Sequence, residues 1–409
     1  MENKAAPLWP LLPAALFLLV LPLNHTIALR LLCLFLAAAV ALRHYLKEGA
    51  PVFPLKLPLA LWAGLAVASL AWSFDPLFTF NEIKTEIGYG MLALFAFYVL
   101  TRGEREWRLW LACLAAGFLA TALAALWDNR AALGNFAAYE WGSVHGFVAY
   151  STYLVLVAPF LLALWLAAPP RAFPRNMVWL LAPLFLFVGY ATLNRMFWLS
   201  LGAILLLFAL LWRRDAATPR RSGWLAAGAA LALVALLFVA VAKQRPMDPL
   251  AAPTTDGATA SHVVGTFANS ERFRIWRFWI ERIAEKPLTG VGFGRDLPHI
   301  VYVDLKPEEW FGLMFAHAHN LFLDYLLQLG IGGLAVLLLL LGALLRAFWR
   351  IRGLPAPQAG VVGLCGIALV AALVSKNFTD DLFWRSDSLL FWALAGMTLG
   401  YGRRLENRT

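Results

Sequence analysis

The residues best equipped for chemistry lie where a polar stretch gives way to an apolar helix, at His317-Ala318-His319-Asn320. An unperturbed imidazole titrates at about pH 6.5, so His319 can take a proton from a hydroxyl at neutral pH. Asn320 opens the following helix, whose N-terminal amides and dipole would favour an anion. The plain alternative is a solvated interfacial histidine. His317 raises the question of a metal pair. With no cysteine partner and no His-Glu helix motif, no metal site is expected. Cations supply the complementary chemistry. Arg195 interrupts a long apolar run, and either serves a function there or snorkels to an interface. Lys84 stands between Glu82 and Glu86 at the start of another apolar run. Arg272 and Arg274 belong to the arginine-rich aromatic segment Glu271–Lys286. Some of its arginines fit a solvated face over lipid headgroups. Gathered in a low-dielectric mouth, such cations would bind a phosphorylated headgroup.

What must position these groups is a set of apolar helices. The 409-residue chain is 61% hydrophobic and 14% charged, against about half and a quarter in soluble domains. Only helices and closed barrels satisfy their backbone in lipid, and the apolar runs have helix length. The expected fold is therefore all-α, one polytopic transmembrane domain over 1–409. Twelve spans are expected, at 8–23, 27–46, 55–73, 83–100, 108–127, 144–168, 177–193, 196–212, 224–242, 320–345, 358–375 and 387–402. A large loop, 243–317, is inserted between the ninth and tenth. Within it Glu271–Lys286 reads as a helix, capped by Asn269 or Ser270 and stopped by Pro287. Phe273, Trp276, Ile280 and Ile283 form its apolar stripe, so it lies on the membrane or packs over the bundle mouth. A glycine turn, Gly290-Val291-Gly292-Phe293-Gly294, and an acidic patch, Asp304, Glu308 and Glu309, follow.

Charge placement sets the orientation. Basic clusters follow the second span (Arg43, Lys47), the fourth (Arg102, Arg105, Arg108), the sixth (Arg171, Arg175), the eighth (Arg213, Arg214, Arg220, Arg221) and the tenth (Arg346, Arg350, Arg352). Arg403, Arg404 and Arg408 follow the twelfth. The positive-inside rule makes that side cytoplasmic, with both termini. Loop 243–317, Lys84, His319 and the Lys376–Asp387 segment fall on the other side. The run Met177–Trp212 would be roughly 50 Å long as one helix, too long for a core of about 30 Å. It must turn at Asn194-Arg195, which brings Arg195 to the outer side too. The net charge of +10 is thus topological and implies no nucleic acid. Cys33, Cys113 and Cys365 lie apart in apolar segments and read as packing residues. The glycine turn is not a dinucleotide fingerprint, no Walker, Ser-His-Asp or haem motif is visible, and no cofactor is expected.

At these residues the chain resembles the O-antigen ligase/polymerase family of bacterial envelope membrane proteins. The likeness rests on Thr192-Leu193-Asn194-Arg195, on Ser270-Glu271-Arg272-Phe273-Arg274-Ile275-Trp276 with Lys286-Pro287-Leu288-Thr289-Gly290-Val291-Gly292, and on His319-Asn320-Leu321-Phe322-Leu323 with Gly330-Ile331-Gly332-Gly333. These cover about the C-terminal half; the N-terminal half matches only as a span pattern with Lys84. The resemblance implies a multi-pass protein of the bacterial inner membrane that works on the periplasmic face. Its donor would be a glycan on undecaprenyl diphosphate and its acceptor a hydroxyl of the lipid A–core oligosaccharide. It implies that Arg195 and Arg272 hold the diphosphate with Lys84 assisting, that His319 is the base, and that neither metal nor nucleotide takes part. Choosing Arg272 over Arg274 or Arg277 rests on spacing to Ile275-Trp276. An O-antigen polymerase or related oligosaccharyltransferase would use the same donor. A transporter or channel would instead favour midplane charges and inverted repeats, and Asp324 is the one such carboxylate evident in the sequence. Asp380 and Asp381 could orient sugars but receive no assigned role. No carboxylate pair for a retaining route is apparent.

Overall fold

The computed structural model describes residues 8–132, 134–144, 146–167, 176–212, 228, 230–240, 271–306, 316–381 and 383–407. The caps expected at Asn269 or Ser270, the patch residues Glu308 and Glu309, and the clusters at Arg171, Arg175, Arg213, Arg214, Arg220 and Arg221 lie outside them, as does Arg408. The described residues form α1 (Leu12–Val20), α2 (Ile27–Glu48), α3 (Lys56–Ala68), α4 (Pro76–Glu82), α5 (Tyr89–Leu100), α6 (Glu104–Asp128), α7 (Gly146–Ala167), α8 (Asn176–Ala191) and α9 (Arg195–Leu211). They continue with α10 (Ala230–Ala240), α11 (Glu271–Glu285), α12 (Leu297–Val301), α13 (Leu321–Gly353), α14 (Ala359–Lys376) and α15 (Arg385–Glu406). Where the expected spans fall on described residues they coincide largely with helix. Among the described residues six stretches are long and apolar enough to cross a membrane: Ile27–Glu48, Pro76–Leu100, Glu104–Asp128, Gly146–Trp165, Leu321–Gly353 and Ala359–Lys376.

Local chemistry explains the boundaries. The fourth span starts at Pro76 rather than at 83, because Asp75 accepts from the Phe78 N–H at 2.9 Å and Pro76 occupies the first turn. Between α4 and α5 the residues Ile83–Gly88 widen into a π-helical turn. The turn expected in Met177–Trp212 is present. Asn194 caps α9 through the Met196 and Phe197 amides, at 3.0 and 3.4 Å. Helix α13 is broken at Gly330, whose φ of 64° no helix tolerates.

The helices have a consistent polarity. Arg404 donates to the carbonyls of Tyr98 and Val99, Arg352 to that of Leu211, Arg350 to Glu406 and Arg102 to Glu48. These contacts gather the C-terminal ends of α2, α5, α9, α13 and α15 at one end of the bundle. The other end holds the starts of α13 and α15, the end of α14, and the π turn. Helix α9 packs along α14. Its last residue, Leu211, meets Arg352 near the start of α14, so Arg195 lies toward Lys376. The described basic clusters and His319 therefore occupy opposite ends, as the charge pattern requires.

The stripe expected on α11 is rotated. Ile275 and Trp279 are the buried pair, packed with Val291, Leu297, Tyr302, Ala318 and Leu327, while Phe273 and Ile280 are exposed. Trp276 Nε1 donates to the Ala318 carbonyl at 2.9 Å, so α11 lies over the segment that carries the histidines.

Candidate active site

The break at Gly330 frees helix carbonyls, and the glycine run takes them. The Val291 N–H donates to the Leu327 carbonyl at 3.0 Å and the Gly292 N–H to that of Gln328 at 2.9 Å. In return the Ile331 N–H reaches the Pro287 carbonyl at 2.8 Å, and Gln328 Oε1 accepts from the Gly294 N–H at 3.0 Å. The approach is so close that a Cβ on Gly290 would lie 2.4 Å from the Gln328 carbonyl. On its other side the run is tied to the corner between α3 and α4: the Phe293 N–H meets Ser69 Oγ and the Phe74 N–H meets the Val291 carbonyl. The run ends by delivering Arg295 into the bundle mouth.

Arg295 was not singled out by sequence, yet it organises the centre. It bonds His317 Nε2, its Nε lies 3.9 Å from Asp381 Oδ2, and it stacks 4.6 Å from the Trp384 ring centre. Burial first, and then the Arg295 charge, pushes His317 down to about 4, so its imidazole is neutral. An arginine can only donate, so Nε2 accepts, while Nδ1 faces the His319 N–H at 3.1 Å and lies 3.5 Å from Asp324 Oδ2. His317, Asp324 and Asp381 bring ligand-type atoms within 4.8 Å of one another. The positive charge at that cluster is supplied by Arg295 itself.

His319 lies at the edge of this buried group. Its ring centre is 4.0 Å from that of His317, and its backbone has a φ of 50°, the left-handed region that a non-glycine residue seldom adopts. Strain of this kind concentrates at functional sites. The expected anion site at the helix start is not available. Asn320 Oδ1 takes the Phe322 and Leu323 amides, Asn377 the Leu321 amide and the Asn320 carbonyl the Asp324 amide. The helix terminus is satisfied internally, and any anion must be met by side chains.

Those side chains surround Asp380. Lys376 Nζ bonds its Oδ2 at 2.8 Å, with both groups buried. Arg272 Nη2 lies 3.6 Å from its Oδ1 and Arg272 also donates to the Thr379 carbonyl. Burial alone would raise Asp380, but the Lys376 and Arg272 charges outweigh it and hold the carboxyl below its usual value. Two cations thus share one carboxylate, and Arg272 keeps 47% of its side chain exposed. Arg274 is exposed on α11, about 200° around the helix from Arg272. Arg195 stands at this end as the first residue of α9. Lys84 is exposed on the π turn, with Nζ 3.0 Å from Asn81 Oδ1. The structure thus brings His319, His317, Asn320 and Arg272 to one centre, and Arg195 and Lys84 to the same end of the bundle.

The carboxylates extend the site inward. The Arg385 N–H meets both oxygens of Glu86, at 2.9 and 3.0 Å, and Trp384 Nε1 faces Glu82. A cavity of about 20 Å³ is lined by Glu82, Glu86, Arg295, Asp381, Trp384 and neighbours, room for about one water. Asp380 and Asp381, left without a role by sequence, are buried here. No protein of established function matches the chain. Residues 180–338, which include Arg195, Arg272, Arg295, His317 and His319, match the model of the O-antigen ligase family.

Proposed function

We propose that the protein is an O-antigen ligase. It moves a glycan from undecaprenyl diphosphate to a hydroxyl of the lipid A–core oligosaccharide, at the periplasmic face of the bacterial inner membrane. The observation that carries this reading is His319 standing beside a carboxylate, Asp380, that Lys376 and Arg272 already share. That arrangement leaves net positive charge at the mouth for an anionic headgroup and a base next to it. Arg272 and Arg195 hold the diphosphate, with Lys84 assisting as the carrier enters. A guanidinium fork matches phosphate oxygens in a way a point charge does not.

A diphosphate leaves readily once its charge is neutralised, so the protein has three tasks: positioning, stabilising the departing anion and removing one proton. His319 takes the proton of the acceptor hydroxyl as its oxygen bonds the anomeric carbon. The bond from that carbon to the phosphate oxygen breaks, and its electron pair leaves with the diphosphate. One displacement inverts the anomeric centre. The buried carboxyls Asp324 and Asp381 do not alter this, since neither is exposed where a sugar could be attacked.

The test is transfer by purified protein in proteoliposomes given only carrier-linked glycan and lipid A–core. Glycan-capped lipid A–core is the expected product. Elongated carrier-linked glycan would make the protein a polymerase, and glycan flux without transfer would make it a transporter.

A further inference from the structure

We propose that Asp381 is held as a neutral carboxylic acid donating its proton to the Asp324 carboxylate, and that this proton fixes the segment from His317 to Asn320 and with it the position of His319. The inference rests on the reading of His319 as the base. Asp324 and Asp381 are both buried, with carboxylate oxygens within 4.8 Å of each other. Two like charges this close and out of water do not both ionise, so one of the pair carries a proton.

The surroundings decide which oxygen owns the proton. Asp324 Oδ1 accepts from the Ala318 N–H at 2.8 Å, and Oδ2 lies 3.4 Å from the Asn320 N–H. Donors of this kind favour the ionised form. Asp381 instead has Arg295 Nε at 3.9 Å, beyond hydrogen-bond reach. Burial, with the Asp324 charge beside it, pushes Asp381 up to about 7. The groups facing it are Asp324 from α13, Arg295 and His317, and Glu82 and Glu86 across the small cavity. Asp296, Lys376, Asp380, Arg385 and Asp387 stand further out. With Asp381 neutral and His317 neutral, the Arg295 and Asp324 charges balance. Loss of the proton sets a second negative charge against Asp324 and loosens the two amide bonds that hold the segment. Asp381 is thus a positioning residue, acting through Asp324.

An asparagine copies a neutral acid but not a carboxylate, so the two positions respond differently. Asp381→Asn keeps a donor toward Asp324, and transfer stays within about tenfold at neutral pH. Asp324→Asn turns an amide donor toward the Asn320 N–H, and transfer falls about 10–100-fold. Wild-type transfer declines on the alkaline side as Asp381 ionises, and Asp381→Asn removes that limb. Infrared spectroscopy of the purified protein reads the proton without any turnover. One component of the protonated-carboxyl band is expected below neutral pH, is lost on alkaline titration, and is missing from Asp381→Asn, where other buried carboxyls such as Glu86 account for what remains. A band of equal intensity in wild type and Asp381→Asn overturns the proposal, as does equal behaviour of the two variants. If Asp324→Asn does not accumulate, an alkaline limb unchanged in Asp381→Asn overturns it. That component without any wild-type transfer leaves the proton assignment standing and removes the enzymatic reading instead.

Discussion

Arg295 donates to Nε2 of His317, and that bond takes one histidine of the pair out of proton chemistry. The other, His319, packs at a tilt of 46° against the ring so held. The two histidines divide into a support and a base, although they stand only two residues apart.

His319→Ala therefore costs transfer while leaving the fold largely intact. A positioned base contributes about 10²–10⁴-fold, so a loss in that range is expected, with donor binding retained because other groups hold the diphosphate. His317→Ala releases Arg295 in a buried site and lowers both transfer and thermal stability. Side-by-side kinetics and melting curves distinguish the two, and loss of stability by His319→Ala but not by His317→Ala would reverse the assignment. Transfer also persists in strong chelator, since the proposed chemistry draws its positive charge from arginine and lysine.

Arg272→Ala and Arg195→Ala each cripple transfer while the protein still inserts. Arg272→Lys recovers little, because lysine cannot present two parallel donors to a phosphate. Arg274→Ala, on a different face of α11, costs much less. Donor titrations at fixed acceptor concentration measure this, and wild-type transfer by Arg195→Ala would leave that arginine as a snorkelling residue only.

Much of the site could be read in the sequence, for reasons that are physical. The Arg195 turn followed from bilayer thickness, and the separation of His319 from the described basic clusters, at opposite ends of the bundle, from the spacing of those clusters. Arg295 gave no such signal, being one more cation in a polar loop. Its importance arises from Gly330, which opens α13 and leaves carbonyls for the glycine run to bond. The signal lay in the two glycine-rich stretches together: a break at Gly330 frees carbonyls, and the run Gly290–Gly294 offers amides to bond them. Asp380 and Asp381 received no role because nothing in a short polar segment signals burial. They are buried because α11, the glycine run and the start of α13 close over that segment. The helix-start anion site failed because Asn320 and Asn377 consume the amides it needed.

Buried titrations make opposing contributions to stability. Asp381 binds its proton more tightly folded, at about 7, than unfolded, at about 3.9. By itself it makes stability fall as pH rises between those values. His317 binds its proton less tightly folded, at about 4, than unfolded, at about 6.5, and makes stability rise across much the same window. The two largely offset in the wild type. Asp381→Asn exposes the His317 contribution, so its melting temperature climbs from pH 4 to about 6.5 more steeply than that of wild type. His317→Ala gives the opposite slope. Matching slopes in all three proteins would contradict the burial of these two groups.

The glycine run makes the last prediction, because it ties the break in α13 to Arg295. Gly290 has a φ of 62°, and an added Cβ would lie 2.4 Å from the carbonyl carbon and oxygen of Gln328. Gly330, with a φ of 64°, has the Leu288 carbonyl 2.3 Å from where its own Cβ would stand. Alanine at either position meets the left-handed backbone cost of about 1–2 kcal/mol and a clash with main chain, which cannot rotate away as a side chain can. The run must then lift off α13 and carry Arg295 from His317. Gly290→Ala is thus expected to lower thermal stability and to lose transfer, although it lies outside the substrate-binding groups. Gly342→Ala, in the same helix but with no atom within 4 Å of its Cβ, should leave both nearly unchanged. A Gly290→Ala protein with wild-type melting and wild-type transfer would show that the glycine run does not position Arg295.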